Sequence, residues 1–182
     1  MKIYLLTKNP GKIKAAKSVF SKHGIELESI DKEYPEIQSD SSLEIARHSS
    51  VQAARDFNAF VVREDHSLYI NSLGIPGPYT NFVEKKISTD NLLKIINCLG
   101  DNRGFFEIAT VCAKPNGETI EYVFQVPMTF GSEIKTAGNG WNGLIRLLNE
   151  KRAITEYPEE ERLHIWNQGY EAIAKKLIEK TS

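Results

Sequence analysis

The order of hydrophobic patterns along the chain predicts a mixed α/β domain, and three observations carry that prediction. An apolar strand near the N-terminus runs through a Pro/Gly turn into a segment with helical spacing. Residues 105 to 135 alternate in the manner of antiparallel strands, and the C-terminal region returns to helical spacing.

Each element has a basis in local residues. "KIYLL" is rich in strand formers and breaks at "TKNPGK", ahead of Ile13, Ala16, Val19 and Phe20, which mark one face of a first helix. Ser41 with Glu44 reads as a capping box opening a second helix over residues 42 to 56. "FVV" at 60 to 62 reads as a buried strand, and Gly74 to Pro78 form a Gly/Pro turn downstream of it. Leu92, Ile95, Ile96 and Leu99 keep helical spacing up to Gly100, a natural helix stop. "FFEIATVCA", "ETIEYVFQV" and "MTFGSEIK", separated by "KPNG" and Pro127, predict strands around a hairpin. Pro158 with Glu159, Glu160 and Glu161 begins a last helix, because proline and carboxylates both suit a helix N-terminus. Leu163, Trp166, Tyr170, Ile173 and Leu177 give that helix one apolar face.

Composition narrows the function classes. A chain of 182 residues, 41% hydrophobic, has the size of one globular domain of one or two lobes. A net charge of −1 and a pI near 6.4 argue against a duplex nucleic-acid binder and leave small molecules as the expected partners. Cys98 and Cys112 match no metal-ligand spacing and sit among apolar residues, so both are expected as buried free thiols in a reducing compartment. The N-terminal apolar run is too short for a signal sequence and no run approaches a membrane span, so the expected setting is cytoplasmic.

Two features point to phosphate chemistry. In "LLTKNPGK" a strand delivers the chain to a turn that opens onto a helix N-terminus, where backbone amides with Lys8 and Lys12 could face an anion; alone, such a turn is also ordinary punctuation. The glycine spacing is not that of a Walker A loop. The neighbouring Glu64 and Asp65 read either as a solvated strand end or as hard oxygen ligands for Mg²⁺, which bridges substrate phosphates. His48 and His66 carry no ligand spacing and read as incidental, although His66 adjoins Asp65.

Taken together, "TKNPGK", "YPEIQ" at 34 to 38, "EDHSLYINSLGIPGPYTNF" and "GWNG" at 140 to 143 resemble the inosine triphosphate pyrophosphatase family over essentially the whole chain. The resemblance implies an elongated mixed β-sheet with flanking helices, one two-lobed domain over residues 1 to 182 with a nucleotide cleft between the lobes, and a homodimer. It implies hydrolysis of a nucleoside triphosphate, typically with a deaminated or damaged purine, to monophosphate and pyrophosphate with Mg²⁺, or Mn²⁺ in its place. Position by position, it puts Thr7, Asn9 and Lys12 at the phosphate turn and Arg162 at a further phosphate-binding cation. Glu36, Glu64 and Asp65 fall at the metal, Glu64 and Asp65 at the catalytic pair, and Gly77, Pro78 and Tyr79 at the wall of the cleft.

The sequence also departs from the family pattern. Ala15 stands where a first-helix glutamate is usual, and Ser49 where a second-helix lysine is usual. "NGWNG" keeps Trp141 but has Asn139, Asn142 and Gly143 in place of an aromatic, an aspartate and a proline. Trp166, Asn167 and Gln168 replace the Ser-His-Arg signature that reads the purine. The base pocket then has two readings. Either Trp141 or Trp166 stacks on a different base whose edge Asn142, Asn167 and Gln168 read, or Trp166 is core and base recognition is lost. The expectation is therefore a pyrophosphohydrolase with altered base preference, set against a catalytically inactive nucleotide-binding sensor on the same scaffold.

Overall fold

The computed structural model describes residues 1–135 and 140–179. In chain order the elements are β1 (Lys2–Leu6), α1 (Pro10–Phe20), β2 (Glu26–Ile30), α2 (Ser42–Phe57), β3 (Val61–Ile70), β4 (Ile75–Gly77), α3 (Thr80–Glu84) and α4 (Thr89–Leu99). They continue with β5 (Arg103–Ala113), β6 (Thr119–Phe130), β7 (Ile145–Leu147), α5 (Glu159–Trp166) and α6 (Gln168–Glu179). The described strands join in a mixed sheet of order β2-β1-β3-β5-β6-β7, with β4 paired to β3. The mixed α/β class read from the sequence is the class observed.

The chain divides into two compact units, and β3, β5 and β6 each contribute residues to both. The first comprises residues 1–65, 108–124 and 163–182, and its described part is a layered α/β structure. β1 pairs in parallel with β2, Tyr4 opposite Glu28, and with β3, Tyr4 opposite Val61. On one side of these strands α1 and α6 bury Ala16, Val19, Phe20, Tyr170 and Ile173 against Ile3, Leu5, Val62, Cys112 and Ile120. Phe20 and Tyr170 meet edge to face at 6.0 Å. On the other side Ala53 and Ala54 of α2 pack with Leu6, Val61 and Ala113. Each large apolar side chain buried this way contributes roughly 1.5–3 kcal/mol.

The second unit, residues 66–107 and 125–162, holds β4, β7, α3 and α4. Leu68 pairs with Gly77 across β3 and β4, and Thr129 with Arg146 across β6 and β7, both antiparallel. Its buried side chains include Leu92, Ile96, Met128, Phe130, Trp141 and Leu144.

Several sequence expectations need correction. β2 and β7 are strands that the pattern did not signal; β2 has only one buried residue, Ile30, and β7 is three residues long. Pro127 does not separate two strands, because β6 runs through it to Phe130. Ser41 caps α2 by accepting the Glu44 N–H at 3.3 Å, but the Glu44 carboxylate accepts from the Ser39 hydroxyl at 2.7 Å and so does not close a capping box. The last helix is two, with Asn167 at the break. Gly169 stands just past the break because β5 approaches so closely there that a Cβ would lie 2.0 Å from Thr110 Oγ1. Cys112 is buried, which pushes its thiol up to about 12, but Cys98 is exposed, contrary to expectation; both are free.

Candidate functional site

The turn between β1 and α1 is organised by its own side chains. Thr7 Oγ1 accepts the Asn9 N–H at 3.2 Å, and Asn9 Oδ1 accepts the Gly11 and Lys12 N–H groups at 2.9 and 3.3 Å. Asn9 is thus the N-cap of α1, with Pro10 in the first turn, where its missing N–H costs nothing. The Gly11 and Lys12 amides are therefore engaged by Asn9, while the Thr7 hydroxyl keeps its O–H donor, the Asn9 amide its N–H donors and the helix end its positive charge. Lys8 turns away to Asp31 and Glu33, at 2.9 and 3.0 Å. Lys12 turns inward: its Nζ donates to the Glu64 carbonyl at 2.9 Å and lies 3.8 Å from Glu64 Oε1.

β3 decides how the acidic pair is used. Successive strand residues point to opposite faces. Val62 packs with α1 and α6, so Glu64 faces those helices; Val61 packs with α2, so Arg63 and Asp65 face the other way. Glu64 is only 4% exposed. Beside it stands the fully buried Tyr170, whose phenol is pushed well above its ordinary range by burial first and by the Glu64 charge second. On the opposite face Arg63 Nη2 donates to the Glu36 carboxylate at 2.5 Å, while Asp65 is half-buried.

Of the residues expected at the metal, Glu64 and Asp65 are neighbours on β3 and Glu36 is paired with Arg63. Among the described residues no group of three or more His, Cys, Asp or Glu side chains is placed to hold a metal ion.

The residues expected at the base are similarly distributed. In the second unit, Trp141 is 1% exposed; its backbone N–H donates to Glu84 Oε1 at 2.7 Å and its indole N–H to the Ile87 carbonyl at 2.9 Å. Trp141 is therefore a packing anchor and presents no open ring for stacking, which corrects that expectation. Gly140 is required beside it, with φ at 56° and a Cβ position 2.1 Å from Glu84 Oε1. Asn142 is half-buried, and Asn139 lies outside the described residues. Arg162, also in this unit, is half-buried, and among the described residues its Nε makes no hydrogen bond.

In the first unit, Asn167 Nδ2 donates to Ser18 Oγ at 3.1 Å and Gln168 Nε2 to the Ile165 carbonyl at 3.2 Å. Both line an open groove of about 480 Å³ with Lys22, Tyr122, His164 and Lys175. Lys22 lies just beyond the C-terminal end of α1, whereas the Thr7–Lys12 turn is at its start. Trp166 is half-buried rather than core.

Sequence reasoning passed over Arg63, Tyr170 and Arg146. The first two were readable from the two-residue period around Glu64 and from the α6 apolar stripe. Arg146, 6% exposed, donates to the Gly143 and Glu133 carbonyls at 3.1 and 3.2 Å and had no sequence signal.

A parallel strand, a capped turn and a helix whose lysine meets an acidic strand define a small mixed α/β protein. Solved structures share the fold. A HAM1 protein from Coxiella burnetii superposes with a TM-score of 0.81 at 17% identity, covering 98% of this chain and 99% of that one. The model of the Ham1 family matches residues 3–175, and the chain belongs to the Ham1 family. It is 31% identical over 181 residues to a dITP/XTP pyrophosphatase of Ignicoccus hospitalis, covering 97% of this chain and 96% of the relative. It is 30% identical over 167 residues to a dITP/XTP pyrophosphatase of Methanopyrus kandleri, covering 91% and 89%. The resemblance drawn from the motifs is borne out.

Proposed function

We propose that this chain hydrolyses a nucleoside triphosphate to the monophosphate and pyrophosphate, with a base preference shifted from that of its relatives. The observation that carries the reading is the meeting of the α1 N-terminus, Lys12 and the acidic strand β3 within one unit, in a chain whose relatives are named dITP/XTP pyrophosphatases. Lys12 and the helix end attract the triphosphate. Asp65, half-buried on β3, orients a water and takes its proton as the oxygen attacks the α-phosphorus; the bond to the bridging oxygen breaks and pyrophosphate leaves. A divalent ion, Mg²⁺ or Mn²⁺, enters with the triphosphate as part of the substrate. Such an ion is commonly held by phosphate oxygens, water and one or two carboxylates, so no preformed cage is required.

Asn167 and Gln168 each carry a donor and an acceptor in place of the usual readers of the purine, which supports a changed base edge. A panel of standard, deaminated and modified nucleoside triphosphates, assayed for pyrophosphate release, tests the reading. Absence of turnover above an Asp65→Asn control on every member would sink it.

One observation favours a second reading, a nucleotide-binding sensor without catalysis. Ala15 is 4% and Ser49 1% exposed, and Ser49 Oγ donates to the Ile45 carbonyl at 3.1 Å. Both positions where the family usually carries a charge are packed helix interior. Nucleotide binding by calorimetry without pyrophosphate release would favour the sensor.

The surroundings proposed are the cytoplasm and a second copy of the chain. No helix among the described residues is long and apolar enough to cross a membrane. Ile75, Tyr79 and Phe82 are 57%, 46% and 64% exposed, an apolar surface suited to a homodimer. Sedimentation of the wild type as a monomer at micromolar concentration would remove the dimer.

A further inference from the structure

We propose that Glu64 is a positioning residue, the buried counter-charge that aims Lys12 at the incoming phosphates. The inference rests on the hydrolase reading for its substrate, but its geometry is independent of it. Adjacent strand residues diverge, and Glu64 is on the α1 and α6 side with Lys12 and Tyr170. Side-chain exposure is 19% for Lys12 and 2% for Glu64, so the carboxylate is out of reach of bulk solvent while the ammonium retains an open side.

A lysine ammonium has three donors. One is fixed on the Glu64 carbonyl at 2.9 Å, and the carboxylate at 3.8 Å supplies attraction without a tight bond, leaving donors for an anion at the helix end. Tyr170, 0% exposed, closes this pocket from α6. Burying such a pair gains little stability, because desolvation offsets the Coulomb attraction, so its value lies in fixing where the ammonium points.

A double-mutant cycle separates a residue acting through Lys12 from one acting on the substrate. Glu64→Gln, Lys12→Met and the double variant are compared with wild type for KM and kcat of pyrophosphate release. In parallel, calorimetry measures pyrophosphate binding in a metal chelator. Glu64→Gln is expected to raise KM, and to weaken chelator-insensitive pyrophosphate binding, by about tenfold, from loss of the carboxylate's attraction for the ammonium, while kcat stays within about threefold. The double variant should be no worse than Lys12→Met alone. Additive losses, or a collapse of kcat at unchanged KM, overturn the assignment and return Glu64 to the reacting centre. Wild-type protein that binds no pyrophosphate also overturns it, whereas pyrophosphate binding without hydrolysis counts only against the hydrolase. If Glu64→Gln fails to fold by circular dichroism, Glu64→Asp, which keeps the charge at shorter reach, carries the same cycle, with a KM between those of wild type and Lys12→Met.

Discussion

The two faces of β3 carry ion pairs of the same chemistry in opposite settings. On the α1 and α6 side, Lys12 and Glu64 are 19% and 2% exposed; on the α2 side, Arg63 and Glu36 are 20% and 63% exposed. A second pair joins α2 to β6, Arg47 with Glu121, at 42% and 26%. Pairs open to water are screened and contribute roughly 0–1 kcal/mol. The enclosed pair has geometry as its main product. Two acidic residues adjacent in sequence therefore hold different positions: one step along a strand carries a carboxylate from the protein interior to a half-buried place on the other face.

The largest expected effect breaks the open face. Asp65→Asn removes the proposed base while keeping the shape, and pyrophosphate release should fall about 10²- to 10⁴-fold. Retention of more than about a tenth of wild-type turnover would be incompatible with general-base chemistry at this position. The next strikes the enclosed face through its packing. In Gly169→Ala the new Cβ would meet Thr110 Oγ1 at 2.0 Å and Thr110 Cβ at 2.8 Å. Overpacking of this kind costs about 1–3 kcal/mol, and α6 must shift, carrying Tyr170 with it. A melting temperature several degrees lower is the expected result, and a melt indistinguishable from wild type would mean that α6 has slack at this contact.

Much of this was legible in the sequence, for reasons visible at particular residues. Asn9 and Pro10 announce the start of α1, Gly100 the end of α4, and the Ile13, Ala16, Val19 and Phe20 stripe the face that α1 buries. Local chemistry sets those features, so a local pattern reveals them. The acidic pair was visible as residue types, but its division between two faces depends on β3 extending through residues 61–70, longer than the apolar pair Val61 and Val62 suggested. Trp141 fared worse, because an aromatic side chain suits a stacking surface and a core equally well. Only the tertiary placement of Glu84 and Ile87 decides between them. Arg146 was invisible for the same reason: its partners are backbone carbonyls, which no sequence pattern displays.

The smallest expected effect tests whether the open side is as screened as its exposure implies. The Glu121 carboxyl is held below its ordinary range, mainly by the hydrogen bonds from Arg47, with Nε at 2.6 Å and Nη2 at 2.9 Å. A folded state that binds the proton less readily than the unfolded chain gains stability above the unfolded carboxylate pKa, near ~4.3, and loses it as pH falls through the lower folded value. Arg47 is 42% exposed, so solvent screening discounts the gain to about 0.5 kcal/mol. Arg47→Gln should therefore unfold at slightly lower urea near neutral pH, and the gap to wild type should close both on acidification through the carboxylate range and in high salt. The Lys12–Glu64 cycle, by contrast, should keep its coupling in the same salt, because water and counterions do not reach Glu64. A gap at Arg47 that persists in acid and in salt would place its contribution in the packing of its aliphatic stem. It would also remove the contrast between the two sides of the sheet.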